Sequence, residues 1–387
     1  MEKPFWLICV THMLVEINLL IQVALIPVIT REFNLSLLEA SLVATVPSFV
    51  QLLINIPSGY LADRFSVKHL LFVSMLIEGV SGLLVSQTTS FWTLVLGISM
   101  LKISSPLYHI SGLSQVGKLS KPEHLNRSMG IHNALGSLGS AVGVVSLAIF
   151  LSTLGWRWTY LFWGFPILAW GLIILTSPHL QVGRRIEKKE TKKRDELQKW
   201  SLILSSGFLI FLIAIAVREV GATGSSTFMT TYFVNRNLSE STASLIFGLG
   251  PFVGIAGSLS GGYLGDRAGA RKTLNLTIIG CTASLLILSL VSHVYLLALI
   301  YIVYSFFSNA MWSPMNALVA QITPAKSLGL GFSAYFFTGG ITTSVTPTLA
   351  AGIIELSGIS LVFPFSAFFL FSSLIIFQFL PSSRKDT

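Results

Sequence analysis

The sequence predicts an all-α integral membrane protein of twelve transmembrane helices, built as two pseudo-symmetric six-helix bundles. Three observations carry that expectation. Hydrophobic residues make up 52% of the 387 and Asp, Glu, Lys and Arg only 11%, against about a quarter charged in soluble globular domains. Apolar runs recur along the whole chain, each long enough to cross the roughly 30 Å hydrocarbon core as a helix. One charged motif also occurs twice. Gly59-Tyr60-Leu61-Ala62-Asp63-Arg64 is followed by Lys68-His69, and Gly262-Tyr263-Leu264-Gly265-Asp266-Arg267 by Arg271-Lys272, 203 residues further on. Internal self-similarity of this kind marks a duplicated architecture.

Taken in order, the apolar runs place spans 1 to 6 over residues 4–29, 38–61, 67–86, 91–117, 128–154 and 158–176. Spans 7 to 12 fall over 200–234, 243–264, 273–291, 294–322, 328–354 and 359–380. Each motif copy then reads as a short charged loop after the second span of its half. Residues 178–199 hold eight basic and four acidic side chains and almost nothing apolar; such a segment cannot bury itself and reads as a solvated cytoplasmic linker. The chain thus divides into a bundle over 1–177, the linker, and a bundle over 200–387. Further mates support the division: Glu16 with Glu219, Ser105-Pro106 with Ser313-Pro314, and Gly130 and Gly139 with Gly331 and Gly340.

The formal charge of +9 does not point to nucleic acid, because of where the charge lies. Of 25 Lys and Arg, 20 fall in the termini and in alternate connections on one side, and only Arg31, Arg157 and Arg236 fall on the other. That bias predicts a multi-pass protein of the cytoplasmic (inner) membrane with both termini cytoplasmic. Lipids are then the expected surroundings, and nothing calls for more than a monomer. Cys9 and Cys281 sit in apolar runs of different halves and read as small core residues, not as a disulfide. The first apolar run has no small-residue cleavage site and reads as a span, not a removed signal. There is no G-x-x-x-x-G-K-[ST] loop for a nucleotide, no nucleophile-and-base motif, and no local metal-ligand spacing. Neither an enzyme, a cofactor nor a resident metal is expected.

Away from the span ends, eight acidic, basic or histidine side chains fall at membrane depth: His12, Glu16, Glu78, Lys102, His109, His132, Arg218 and Glu219. A charge at that depth costs a few kcal/mol or more, so such groups face a cavity or a partner. His12 and Glu16, four apart, share one helix face and are the first choice for handling a proton, with Glu219 as the symmetry mate. Lys102, Ser105, His109 and Gly112 form one stripe of span 4; Lys102 either faces a ligand or pairs with Glu78 on span 3. Arg218 and Glu219 are about 100° apart around span 7, so one is expected inward and the other toward a neighbouring helix. Gly221, Gly224 and the hydroxyls from Thr223 to Thr230 suggest a bend near the outer end of that span. Asn309, Trp312 and Asn316 form a stripe in span 10, and Tyr335 approaches from span 11; aromatics beside amides suit a flat, partly apolar ligand. Gly136, Ser140 and Gly143 allow another helix to approach span 5 closely.

Two six-span halves, each with G-x-L-x-D-R and trailing basic residues after its second span, resemble the major facilitator superfamily. The resemblance covers the whole chain. It implies a secondary transporter whose halves rock around a midplane site, lined by spans 1, 4, 7 and 10. It would turn Lys102, His109, His132, Arg218, Asn309, Trp312, Asn316 and Tyr335 toward a small-molecule substrate. It also implies a gate on the cytoplasmic side, with Asp63 meeting the start of span 11 near Leu328 and Asp266 the start of span 5 near Ser128. Arg64, Lys68, Arg267, Arg271 and Lys272 would add salt bridges between the halves. His12 and Glu16, the stretch from Ser104-Ser105 to His109, and that from His132 to Gly143 are similar to the fosmidomycin-resistance branch, which is drug efflux. That branch has His-Pro where this chain has His109-Ile110, and Gly-Pro where it has Gly143-Val144. Proton-coupled export of a drug-like compound or metabolite is therefore the leading expectation. Proton-coupled uptake of an organic anion, or divalent metal transport through His12, Glu16, His109 and His132, stands as the alternative.

Overall fold

The computed structural model describes residues 3–180, 206–324 and 327–380, with Asp63 described in its backbone only. Most of the predicted linker, 181–199, lies outside the described residues. Twelve crossings can be traced among the described residues. Eleven are helices long and apolar enough to span a membrane. The remaining one, span 11, is broken into Leu328–Thr343 and Thr346–Ser357. The break falls ahead of Pro347, at the start of the second segment, where a missing N–H is tolerated.

Local chemistry explains where helices begin. Ser36 accepts a hydrogen bond from the Glu39 N–H (3.1 Å) while Glu39 accepts from the Ser36 N–H (2.8 Å), a capping box that starts span 2 at Leu37. Ser239 caps span 8 in the same way through the Thr242 N–H, 3.1 Å away. Just before these caps, Asn34 (φ 51°) and Asn237 (φ 65°) take the left-handed conformation that Asn tolerates better than most residues. Asn34-Leu35-Ser36 and Asn237-Leu238-Ser239 are again 203 residues apart, a second repeated signal.

Spans 1 and 7 are interrupted at matching positions. Span 1 runs as Lys3–Leu19, Ile21–Ala24 and Ile26–Glu32, and span 7 as Ser206–Thr227 and Met229–Asn235. The break at Leu25 therefore answers the break at Phe228.

The motif copies are not loops. Span 2 runs from Leu37 to Arg64 and span 8 from Glu240 to Ala268, so both copies form the last turns of a helix. Apolar length measures the hydrocarbon crossing, whereas the helix continues until Phe65-Ser66 turns extended or Gly269 adopts φ 90°. Arg64 and Arg267 in the last turn also suit the negative helix end.

Within the first half, Gly139 and Gly143 bring span 5 (Leu125–Thr153) onto the Met13 and Ile17 carbonyls of span 1 so closely that no Cβ would fit. Between the halves, span 5 lies along span 8 and span 2 along both pieces of span 11. The halves touch at both ends. At the end carrying the basic motifs, Asp266 accepts from the Asn126 and Arg127 N–H groups (3.1 and 3.2 Å). At the opposite end Arg31 pairs with Glu240 (2.9 Å), and Glu355 accepts from the Leu38 N–H (3.1 Å). A cavity is left between these two contacts.

Candidate functional site

The cavity has two joined lobes of about 320 and 310 Å³. Glu16, Glu219, Trp312 and Phe336 line both. The first lobe reaches His12 and His109 on one wall and Arg218, Asn309 and Asn316 on the other. The second reaches Lys102 and Tyr335. Of the residues expected to face a substrate, His132 alone is kept from the cavity lining.

On the first-half wall, Glu16 is held by two imidazoles. His109 Nε2 lies 3.0 Å from Glu16 Oε1 and His12 Nε2 lies 3.4 Å from the same oxygen. The other carboxylate oxygen accepts from Ser140 Oγ at 3.0 Å. Each ring is oriented from behind. His12 Nδ1 donates to the His132 carbonyl and His109 Nδ1 to the Ser105 carbonyl, both at 2.9 Å. A carbonyl only accepts, so both Nδ1 atoms carry the proton. Gly136 leaves room for the His12 ring; any Cβ there would overlap it.

His132 is fully buried behind this cluster. Its ring stacks on His12 (4.0 Å between centroids, 13° between planes), and its Nε2 meets the Tyr108 hydroxyl at 2.9 Å. It backs the His12 ring and does not line the cavity, unlike its expected placement among the substrate contacts. The 3.6-residue period gives the facing of one helix, but the depth of a side chain behind a ring from span 1 depends on the packing of three.

The second-half wall also departs from expectation. Arg218 donates through Nη1 to Glu219, its chain neighbour, and its guanidinium lies 4.7 Å from the centroid of the Trp312 ring. A difference of 100° around the helix does not separate them, because the long arginine arm reaches back across it. Both face the cavity. Asn309 accepts from Ser137 Oγ of span 5 (2.9 Å), and Asn316 donates to Asn133 of the same span (3.4 Å). These two bonds tie the walls together inside the membrane.

Lys102 is buried, lines the second lobe, and makes no ion pair with Glu78 among the described residues. Glu78 is instead satisfied by Ser104 Oγ and by Asn18 Nδ2 (3.0 Å). Tyr335 is buried, with its hydroxyl unpaired among the described atoms.

At the basic end the expected salt bridges between halves are not formed by the described residues. Lys68 donates to the Ser177 carbonyl and Arg271 to the Leu380 carbonyl, both at 2.9 Å. The two pairs are mates, and each fastens span 3 or 9 to the end of span 6 or 12 within its own half. Arg64 and Arg267 lie over Tyr60 and Tyr263 of their own helices (3.8 and 4.7 Å), and Lys272 is exposed. Carbonyls take up Lys68 and Arg271 and tyrosine rings take up Arg64 and Arg267, with no ion pair to these cations among the described residues. What crosses between halves is Asp266, the glycine that opens each motif, and Arg127, which lies 5.9 Å from the Tyr263 ring centroid. The Asp63 side chain lies outside the described residues.

Ser137, Asn133 and Tyr108 contribute without any sequence signal, and Ser140, expected only to admit another helix, also bonds Glu16. Ser140 sits one turn after Gly136 and one before Gly143, and that spacing is the signal that it shares their face.

Comparison with known proteins agrees with this architecture. A nitrite extrusion protein of Bacillus subtilis is 25% identical over 87% of this chain and 83% of its own length. A probable nitrate transporter of Staphylococcus epidermidis is 23% identical over 93% of this chain and 92% of its own. The fosmidomycin resistance protein of Escherichia coli is 22% identical over 98% and 93%. The family model described as Major Facilitator Superfamily matches residues 8–288 and again 213–387. With both halves matched and twelve helices around a central cavity, the chain is a membrane transporter of the Major Facilitator Superfamily.

Proposed function

We propose that this chain exports a small organic anion with a flat apolar part, a drug-like compound or metabolite, in exchange for protons taken up at Glu16. The observation that carries the reading is the arrangement across the cavity. A carboxylate between two imidazoles faces a buried guanidinium stacked on an indole. The first group is suited to exchanging protons with His12 and His109, and Glu219 adjusts the charge of Arg218 opposite. Arg218, with Lys102 in the second lobe, supplies positive charge for an anion. Trp312 and Phe336 supply apolar surface, and Asn309 and Asn316 offer amides. The names of the relatives support a negatively charged cargo, since two refer to nitrate or nitrite and one of these to extrusion. The cavity is larger than an ion the size of nitrate needs, which favours an organic compound.

In this reading the halves, residues 1–177 and 200–387, rock as bodies joined by the linker, in a monomer in the cytoplasmic membrane with the basic end inward. Asp63 and Asp266 help close that end. A thermal-shift screen of purified protein against organic acids and antibiotics would find the ligand. Everted vesicles energised to be acid inside should then accumulate it, and Glu16→Gln should abolish the accumulation. Uptake by whole cells with no accumulation in everted vesicles would sink the export reading.

A further inference from the structure

We propose that His12, Glu16 and His109 form a binding site for one divalent transition-metal ion on the wall of the central cavity. Their ligand atoms, one from each residue, all lie within 4.8 Å of one another. The two contacts to Glu16 Oε1 are 3.0 and 3.4 Å. Ligand atoms bonded at about 2.0–2.1 Å around a tetrahedral zinc are about 3.3 Å apart, so two of the three edges need little adjustment.

The stronger argument is what stands behind the ligands. Metal-bound imidazoles donate their second N–H to a carbonyl or carboxylate, which fixes the tautomer and aims the free nitrogen. Both rings here do so, His12 to the His132 carbonyl and His109 to the Ser105 carbonyl. In the neutral rings the two Nε2 lone pairs therefore converge on the same carboxylate oxygen. With the rings neutral, three electron-rich atoms turn toward one point, and one divalent ion satisfies all three in place of the protons that the export reading puts there. Glu16 is itself supported, its second oxygen accepting from Ser140. The His132 ring stacks against His12 and Gly136 leaves the space the ring occupies. Such a pre-oriented outer layer is more than three ligands meeting by chance.

Two nitrogens and one oxygen suit zinc, cobalt or nickel in preference to calcium or magnesium, which prefer oxygen. All three residues line the cavity, so the remaining coordination position faces the space where a substrate would lie. A bound ion would thus present a Lewis-acidic site to an anionic ligand. The site does not depend on which compound is transported.

The test uses tag-free, full-length protein in lipid nanodiscs, titrated with zinc chloride by calorimetry and with cobalt chloride by visible absorption. One ion per chain is expected, weakened at least tenfold by His109→Ala and by Glu16→Gln. Replacing the exposed His69, His124, His179 and His293 with Ala together should leave it intact. Zinc-edge absorption of the wild-type protein gives a reading that does not depend on any variant folding; two imidazole nitrogens and a carboxylate oxygen are expected. No binding up to about 1 mM, undiminished binding in both cavity variants, loss of binding in the surface variant, or a shell with sulfur or only one imidazole would each overturn the site.

Discussion

The two halves carry the same backbone devices at the same offset and different chemistry at the same point. Asn34 and Asn237 turn the chain, Ser36 and Ser239 cap the next helix, Leu25 and Phe228 interrupt a span, and Gly155 and Gly358 take positive φ. Lys68 and Arg271 make the same bond to Ser177 and Leu380. At the mates Glu16 and Glu219 the likeness ends. Glu16 touches two imidazoles and a hydroxyl, whereas Glu219 is held by a guanidinium. A fold needs its turns and caps in both halves, so these persist after duplication. In the proposed export cycle one wall exchanges protons and the other supplies positive charge, so the mates diverge.

The sharpest way to break this comparison is to remove both carboxylates in turn. Arg218 is only 1% exposed, and removing one partner of a buried pair costs about 3–5 kcal/mol. Glu219→Ala should therefore lower thermal stability in nanodiscs severely. Glu16→Ala leaves two imidazoles that can be neutral and keep their carbonyl partners, so a cost of about 1 kcal/mol is expected. Pairing Glu219→Leu with Arg218→Met should recover most of the loss. Equal losses for the two alanine variants would show that the walls are not different in kind.

The two motif copies offer the next test. A Cβ at Gly262 would lie 2.8 Å from the Asn126 carbonyl oxygen and 3.2 Å from the Gly130 Cα, both backbone. At Gly59 a Cβ would lie 2.5 Å from the Ser333 Cβ, which cannot rotate away, and 3.2 Å from the Gly329 carbonyl oxygen; the Ser333 Oγ bonds the Asn55 carbonyl at 2.9 Å. Overpacking of this kind costs about 1–3 kcal/mol. Gly262→Ala should thus separate the halves at the basic end between spans 5 and 8, and Gly59→Ala should do so between spans 2 and 11 by at least as much. Spin-label distances between span 5 and span 8 in one variant, and between span 2 and span 11 in the other, measure it. Asp266→Ala should act in the same direction, removing two charge-assisted bonds for a shift of roughly 1.5–3 kcal/mol. Unchanged distances would mean that this contact does not hold the gate.

Much of this was legible in sequence, and the remainder was hidden for identifiable reasons. The twelve crossings follow from apolar length, and the facing of His12 and Glu16 from helix period. The union of Glu16 with His109 does not, because the two are 93 residues apart and meet only when spans 1 and 4 pack. The Arg218–Glu219 pair does not follow from helix period, because arginine is long enough to curl back across 100°. The described bonds of the motifs' basic residues differ from those that charge suggests for a related cause. Charge alone suggests carboxylates across the gap, while Ser177 and Leu380 offer nearer carbonyls inside each half. The repeat of Asn-Leu-Ser is visible in the sequence alone; it is short and polar and lies outside the apolar pattern.

That repeat supports the smallest of the expected effects. At Asn34 and Asn237 the backbone is left-handed, a conformation costing about 1–2 kcal/mol for a residue with an ordinary Cβ. Asn237→Ala should therefore lower stability by about 1 kcal/mol, and Asn237→Gly by less, since glycine has no Cβ to strain. Asn34 should behave alike if the two turns are the same device. A difference is still instructive, because the caps that follow are not identical: Ser36 has the reciprocal Glu39, while at Ser239 the third residue on is Thr242. The fuller capping box should hold the first turn in place more firmly than the second. Asn34→Ala should then free the Arg31–Glu240 contact less than Asn237→Ala does. Thermal unfolding of the four single variants, read beside the reactivity of a cysteine placed at Leu35, which leaves Arg31 and Glu240 in place, separates the two cases. Equal losses at both asparagines with equal exposure of that cysteine would mean that the turn sets the outer contact and the cap adds nothing to it.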